Sequence, residues 1–490
     1  MTSLRADDRL FEVGTAESPE RETPQPAGRD KTFRPYDQHQ SFLLPPSLDD
    51  WLPAGHSARF LSETVDSALD LSLIYDAYTN ATGAPPFDPA MMTKLLLYGY
   101  SIGVTSSREM ERRCSTDVAF RWLGANAAPD YRSISRFRRR HLGALEELFT
   151  QVLVLCQRAG LVGLGRVALD GTKVRAAASR HKAMSYDRMG RRIEELRAEV
   201  AAMLAQAEAT DQREDEEFGE DSRGDELPPE LATREGRLAA LLAAKEAIET
   251  EAKEKAAREA TKKAKAKGAS DKEAQRAGEQ TAQNATTSPR AQRNFTDPDA
   301  RVMKTADGSF HYCYNAQAIV DERAQVILST TLVQHATDVN QLTPMIETTT
   351  EQLDRAGVTD SPRVLLADAG YCSADNLEDS AAVPIEVLIA TGRQKHGERI
   401  TDAPRGRIPQ DATPRERMAR RLRTKTARAD YARRKAIVEP VFGQMKTRQR
   451  AGQLRLRGLE GAQGEWTLHA LCHNLRKLAN TSSIGAITTT

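Results

Sequence analysis

Two hydrophobic rhythms alternate along the chain. From about 35 to 165 the apolar residues recur at helical spacing, with a broad apolar face in MMTKLLLYGYSIG. Ser106-Ser107-Arg108-Glu109 reads as a capping box that opens a helix through SREMERRC. PDYRSISRFRRRH opens another helix, running on into LGALEELFTQVLVLCQRAG. Short helices with a tight turn before a basic helix predict a helix-turn-helix-like unit. Arg132, Arg136 and Arg140 fall at i, i+4 and i+8 and share one face. That face suits DNA phosphates, or is simply a solvated basic surface.

At 166 the rhythm becomes that of strands. RVALDGTKV is β-rich, and its Asp-Gly is expected to end the strand and deliver Asp170 there. Over 185–270 helical spacing returns, in Ile193, Leu196, Val200 and Met203 and again in Leu238, Leu241 and Ile248. This predicts an antiparallel helical hairpin. The Lys/Ala/Glu/Gln-rich stretch 250–293 is expected to fade from helix into disorder. HYCYNAQAIVD (311–321) and AQVILSTTLV (324–333) predict a β-hairpin turning at Asp321–Arg323. Residues 340–357 predict an amphipathic helix stopped by Gly357, with Asp338 its expected N-cap and His335 just ahead. RVLLADAGY and IEVLIAT predict two further strands. With the insertion removed, the order is strand, two strands, helix, strand, short helix, strand, basic helix. That is the order of a ribonuclease-H-like mixed α/β sheet.

The expected organisation is a disordered tail at 1–33, an all-α DNA-binding domain at 34–165, a catalytic domain at 166–480 and a tail at 481–490. The catalytic domain would carry a helical hairpin and linker at 181–300. Overall charge is uninformative at +1, but its distribution is not. Residues 391–457 hold twenty Lys/Arg against six Asp/Glu, net +14, leaving the remainder at −13. Residues 208–230 hold eleven acids and two arginines, net −9, at the hairpin tip. A concentrated basic block in a neutral chain predicts a polyanionic partner. Five scattered cysteines without a C-x-x-C pair argue against a disulfide scaffold or zinc finger and for a reducing cytosol. MTSLRADDRLFEVG has no apolar core of the kind a signal peptide needs, and no apolar run reaches the length of a membrane span.

Three acids stand out by position. Asp170 follows VAL, Asp368 follows VLLA, and Glu439 lies in YARRKAIVEPVFGQMK inside the basic block. Acids at the carboxyl ends of neighbouring strands meet at one sheet edge. With a glutamate from a facing helix they suit two hard divalent ions, Mg²⁺ or Mn²⁺, set about 4 Å apart for phosphodiester chemistry. A lone strand-end Asp more often caps a turn, and it is the joint pattern that points to metal. Helical phase puts Tyr431, Lys435, Glu439, Phe442 and Lys446 on one face, with a kink or restart expected at Pro440. His469 and His473 stand at i, i+4 without further ligands nearby and read as core or surface rather than zinc. Asp297 and Asp299 read as an Asp-Pro turn. No phosphate-binding G-x-x-x-x-G-K-[ST] loop is present.

VALDGTKVRAAAS, LLADAGYCS and YARRKAIVEPVFGQMK, with less specific matches from about 35 to 480 outside the middle of the insertion, resemble bacterial insertion-sequence DDE transposases with an InsH-like N-terminal domain. The resemblance implies that Asp170, Asp368 and Glu439 are catalytic metal ligands for two Mg²⁺ or Mn²⁺. It also implies that Tyr431, Arg434 or Lys435, and Lys446 form a Y-R-E-K signature holding the transposon end. The usual spacing is Y-x2-R-x3-E-x6-K; here Arg434 to Glu439 is one residue too long, and helical phase favours Lys435. The function implied is metal-dependent DNA cleavage and strand transfer at inverted repeats, by a homodimer on DNA in the cytoplasm, associated with the nucleoid. The alternatives are a catalytically inactive, transposase-derived DNA-binding protein, and a nuclease that cuts without strand transfer.

Overall fold

The computed structural model describes residues 47–79, 85–178, 183–218, 229–381, 383–392 and 406–481. The tail expected at 1–33, residues 219–228 of the acidic loop expected at 208–230, and the residues after 481 lie outside them; the flanks of that loop, 208–218 and 229–230, are helical rather than loop. Helices lead the described fold: α1 (Leu48–Trp51), α2 (Ser57–Ser67), α3 (Ser72–Tyr75), α4 (Pro89–Ser101), α5 (Ser107–Thr116), α6 (Val118–Leu123), α7 (Tyr131–Arg140) and α8 (Leu142–Arg158). The helix expected to run on from 131 is broken at His141. Asp130 caps α7 by accepting from the N–H groups of Arg132 and Ser133. The capping box expected at Ser106 does not form: Ser106 precedes α5 without a side-chain cap, and Glu109 instead pairs with Arg112 and Arg113 at 2.6 and 3.0 Å. Two neighbouring guanidinium groups outcompete a single backbone N–H for that carboxylate.

The sheet begins with β1 (Arg166–Arg175). A short strand β2 (Ala183–Ser185) leads into the insertion, made of α9 (Tyr186–Phe218), α10 (Pro229–Ala266) and α11 (Asp271–Gln283), and β3 (Gln292–Asn294) pairs back on β2. Met189, Ile193 and Leu196 pack on Leu241, Ala244 and Ile248, so the insertion has a small apolar core of its own. The expected fade into disorder after 250 does not occur. Gly268, at φ +84°, turns the chain, Ser270 and Glu273 form a capping box, and α11 folds back on α10. Gly278 permits that close approach, since a Cβ there would lie 3.0 Å from the Ala257 carbonyl and closer still to Thr261 Oγ1.

Beyond the insertion come β4 (Arg301–Lys304), β5 (Phe310–Asp321), β6 (Ile327–Val333), α12 (Leu342–Arg355), β7 (Val364–Ala367), α13 (Ala374–Asp379) and β8 (Glu386–Ile389). The strand order is β4-β5-β1-β7-β8, with β6 also on β5. β1 runs antiparallel to β5 and parallel to β7, giving a mixed sheet compatible with the ribonuclease-H-like expectation. The hairpin and the Gly357 stop (φ +70°) are as expected, while β4 adds a strand that the sequence pattern did not announce. The C-terminal helices are α14 (Pro414–Arg421), α15 (Lys425–Ala432), α16 (Arg434–Arg448) and α17 (Leu459–Ala479).

α17 is the fold's central pin. Residues from Ala462 to Leu478 bury against both the leading helices and the sheet, and one continuous apolar core runs from Leu52 to Leu478. Several of its buried polar groups find partners across that seam, whereas neither ring nitrogen of His469 has one. Arg138 of α7 donates to the Tyr100 hydroxyl, which donates to Glu465 Oε1 at 2.8 Å; Glu465 Oε2 accepts from the Arg455 and Leu456 N–H groups. His469 and His473 lie in this core, so core packing is their role. Burial pushes their imidazoles down to about 3 and about 4, keeping both neutral.

Candidate active site

β1 does not end at Asp170, as the sequence predicts. It continues to Arg175 because β5 pairs with it all the way to Arg175↔Cys313. What ends is β7: its last residue, Ala367, pairs with Leu169. Asp170 is therefore the first residue of β1 to outrun β7, and Asp368 is the first residue after β7. The two carboxylates share one sheet edge because of where β7 stops. Asp368 Oδ1 accepts from Gly370 N at 2.8 Å, closing a single 3-10 turn over Ala369–Tyr371. Asp170 Oδ1 accepts from Gly171 N at 2.8 Å. Burial pushes the Asp170 carboxyl up to about 6, against the pull of Arg434, and the charge of Asp368 pushes the same way.

The third acid comes from α16, and the expected restart at Pro440 is displaced. The helix breaks at Arg433 and then passes straight through Pro440. Proline removes the N–H that would bond the Ala436 carbonyl. That carbonyl accepts instead from Gln325 Nε2 at 2.9 Å, supplied by the β5–β6 turn. Gln325 is itself held by Lys477 at 2.9 Å and, through its own carbonyl, by His473 at 2.9 Å. The break at Arg433 is fastened by ion pairs. Asp430 accepts from Arg166 at 2.7 Å and Arg363 at 3.1 Å, and Arg433 pairs with Glu322 at 2.7 Å. Helical phase counted from Tyr431 therefore does not carry across the break.

As a result Arg434, not Lys435, faces the acids. Arg434 is buried and sits between Asp170 Oδ2, 3.1 Å away, and Glu439 Oε1, 4.0 Å away. Lys435 is exposed. Tyr431 is half-buried beside Arg434, and burial raises its hydroxyl pKa. Lys446 reaches back from the end of α16 to Thr172 Oγ1 and to the Lys173 carbonyl, the latter at 3.1 Å. Arg132 and Arg136 are exposed on α7, whereas Arg140 lies over the Tyr78 ring at 4.6 Å and donates to the Ala77 carbonyl. Asp297 accepts from Tyr314 at 2.7 Å and Asp299 Oδ2 from Leu459 N at 2.9 Å, both within the fold's framework.

One acid in the neighbourhood was read differently from the sequence. Asp338 does not cap α12, whose N-cap is Gln341. Its Oδ1 accepts from Asn315 at 2.7 Å and Gln317 at 2.8 Å and lies 3.6 Å from Lys173 Nζ. Two amides in β5, two residues apart on one buried face, capture it from the helix end. Those amides were the available signal, since buried polar groups in a strand need partners. The same side chains explain Gly171: a Cβ there would lie 2.7 Å from Asp338 Oδ1 and 3.1 Å from Asn315 Oδ1.

Two family models match this chain. One, a transposase domain family (DUF772), covers 46–140; the other, the transposase DDE domain, covers 284–475 and so contains Asp368, Glu439 and most of the sheet. The chain belongs to the insertion-sequence DDE transposases. No curated protein and no solved structure matches it. Such transposases are generally dependent on divalent metal, and part of the site fits one. Asp170 and Asp368 are hard oxygen donors at adjacent register positions, and the burial of Asp170 and the charge of Asp368 beside it are what a cation relieves. In this transposase Glu439 stands beyond Arg434, and among the described residues no three His, Cys, Asp or Glu side chains converge as ligands. No described helix is long and apolar enough to cross a membrane.

Proposed function

We propose that this transposase cuts DNA at the inverted-repeat ends of its insertion sequence and joins the freed ends to target DNA. The observation that carries the reading is the pair Asp170 and Asp368 at the edge where β1 outruns β7, flanked by Arg434 and Lys446 of α16. Asp170, Asp368 and Glu439 would hold two Mg²⁺ or Mn²⁺. Bound there, the ions would supply an activated water or 3′-hydroxyl and stabilise the leaving oxygen. Arg434 neutralises Asp170 until DNA arrives, then offers its guanidinium to a backbone phosphate of the transposon end. Tyr431 keeps Arg434 in place, Lys446 meets a second phosphate, and exposed Lys435 extends the basic face. Arg132, Arg136 and Arg140 of α7, in the helical region, would contact the same DNA. The catalytic half would be a ribonuclease-H-like domain over 166–480, and the DNA-binding half would span 34–165. Two copies would pair the two ends, acting in the cytoplasm on the nucleoid.

The test is cleavage of a labelled end fragment with Mg²⁺ or Mn²⁺ by wild type, Asp170→Ala, Asp368→Ala and Glu439→Ala. Wild type is expected to cut at the element boundary, with each variant binding but not cutting. If all four bind and none cuts, the chain is a DNA-binding relative without catalysis. Cutting that survives one substitution removes that acid from the site.

A further inference from the structure

Lys173 lies three residues beyond Asp170 on the part of β1 that β7 leaves uncovered. Its ammonium is mostly buried and pairs with Asp338 at 3.6 Å, longer than a hydrogen bond. Asp338 Oδ1 is already committed to Asn315 and Gln317, and Gln317 in turn accepts from the Tyr371 hydroxyl. Asp338 is thus fixed by β5 and by the turn that follows Asp368, and it cannot swing out to meet Lys173 fully. A Cβ at Gly370 would lie 2.9 Å from Asp368 Oδ1 and 3.6 Å from Asp338 Oδ2, so the two carboxylates flank one glycine. Lys446 sits close by, bonded to the Lys173 carbonyl, and the two lysine charges repel each other. Asn315 is fully buried, and its Oδ1 has no hydrogen-bond partner. Two ammonium groups with one rigidly held carboxylate leave a local excess of positive charge beside the catalytic acids.

We infer that Lys173 contacts the scissile phosphate, and that Asp338 is the positioning residue that aims it. This rests on the proposed cleavage reaction and adds to it a cation from β1, opposite the one that Lys446 supplies from α16. Asp338 touches no substrate in this arrangement; it limits the orientations of a flexible four-carbon side chain. Preorganising Lys173 in this way spares the site the entropy of ordering it when DNA arrives.

The experiment is a binding cycle on the full chain with Ca²⁺ in place of Mg²⁺. It uses an end duplex with either an ordinary or a methylphosphonate linkage at the scissile position. Wild type, Lys173→Gln, Lys173→Arg, Asp338→Asn and the double variant Lys173→Gln/Asp338→Asn are compared, with thermal unfolding as a check on folding. Lys173→Gln is expected to weaken binding of the ordinary duplex about tenfold or more. On the methylphosphonate duplex it should add little, because the charge it meets is already gone. Lys173→Arg should keep most of the affinity, and Asp338→Asn should cost less than Lys173→Gln and nothing further in the double variant. Additive losses from Lys173→Gln and the methylphosphonate would overturn the contact. An Asp338→Asn loss that persists undiminished in the Lys173→Gln background would reduce Asp338 to a framework residue. Failure of wild type to bind or cut end DNA would instead count against the proposed reaction itself.

Discussion

Asp170→Asn is expected to make the metal-free transposase more stable at neutral pH while abolishing its chemistry. The side chain is 21% exposed, and burial lifts its carboxyl from 3.8 to about 6 even with Arg434 at 3.1 Å. The folded state therefore takes up a proton between about pH 4 and pH 6 that the unfolded chain does not hold. Stability falls as pH rises through that window and is level above it. The gap corresponds to a penalty on the order of 3 kcal/mol for carrying the ionised carboxylate at pH 7. Asparagine is neutral at every pH and still offers Arg434 an oxygen. The variant should gain up to about 3 kcal/mol above pH 6, with the gain shrinking below pH 6 and vanishing near pH 4. The assay is urea unfolding in EDTA from pH 4 to 8, repeated with Mn²⁺. The metal should stabilise wild type and leave the variant unmoved, so that the two converge. The opposing effect, loss of the counter-charge for the buried Arg434 guanidinium, is already contained in the net rise to about 6. A variant less stable than wild type across pH 6–8 would mean that this loss wins, and that burial of Asp170 has been overweighed against its ion pair.

Further expectations follow from close contacts and unusual partners. Gly171→Ala should destabilise by about 1–3 kcal/mol and impair cleavage, because its methyl collides with Asp338 and Gln317; thermal unfolding and single-turnover cleavage would show it. Gln325→Ala orphans the Ala436 carbonyl and should cost about 1–3 kcal/mol by urea unfolding; adding Pro440→Ala, which restores an N–H, should recover part of that loss. Asp430→Asn loosens the Arg166 and Arg363 pairs that hold the break at Arg433, so it should lower stability by about 2 kcal/mol and reduce cleavage more than DNA binding. Gly278→Ala should open the α10–α11 contact and speed proteolysis within 266–285 while the rest of the fold resists.

Much of this was legible in the sequence wherever local chemistry decides. Asp368 was readable as a strand end because β7 is short, apolar and closed by Ala369-Gly370. Gly357 was readable as a helix stop, and the insertion's helices announced themselves by spacing. The misreadings share a physical cause: a partner that the local pattern does not announce, close by for Glu109 and distant for Asp338, Asp170 and Arg433, overrode the expected preference. Asp338 has the sequence of an N-cap, yet two amides from β5 hold it. Glu109 has the sequence of a capping box, yet two arginines take it. Asp170 looks terminal beside a glycine, yet β5 extends β1 past it, and only the end of β7 makes it an edge residue. The break at Arg433 carries no glycine or proline; ion pairs to Arg166, Arg363 and Glu322 set it, and Pro440, the obvious breaker, is repaired by Gln325. The extent of α11 was hidden because its low-complexity composition resembles that of an unfolded tract, and the capping box and the fit at Gly278 make it fold.

The seam sealed by α17 has a consequence for how such a chain can be altered or inherited. Arg138, Tyr100 and Glu465 form a single polar wire through a shared apolar interior. The leading helices and the sheet are consequently not interchangeable modules joined by a tether. A chimera taking residues 48–158 from one chain and 166–480 from another would bring together two half-cores cut to different shapes, with an arginine or a glutamate stranded in the interface. Changes at the seam are viable only in matched sets, so the front and back of this molecule are constrained to diverge together. Fragments from either side of residue 165, expressed alone, would each present the apolar surface that the other was built to cover.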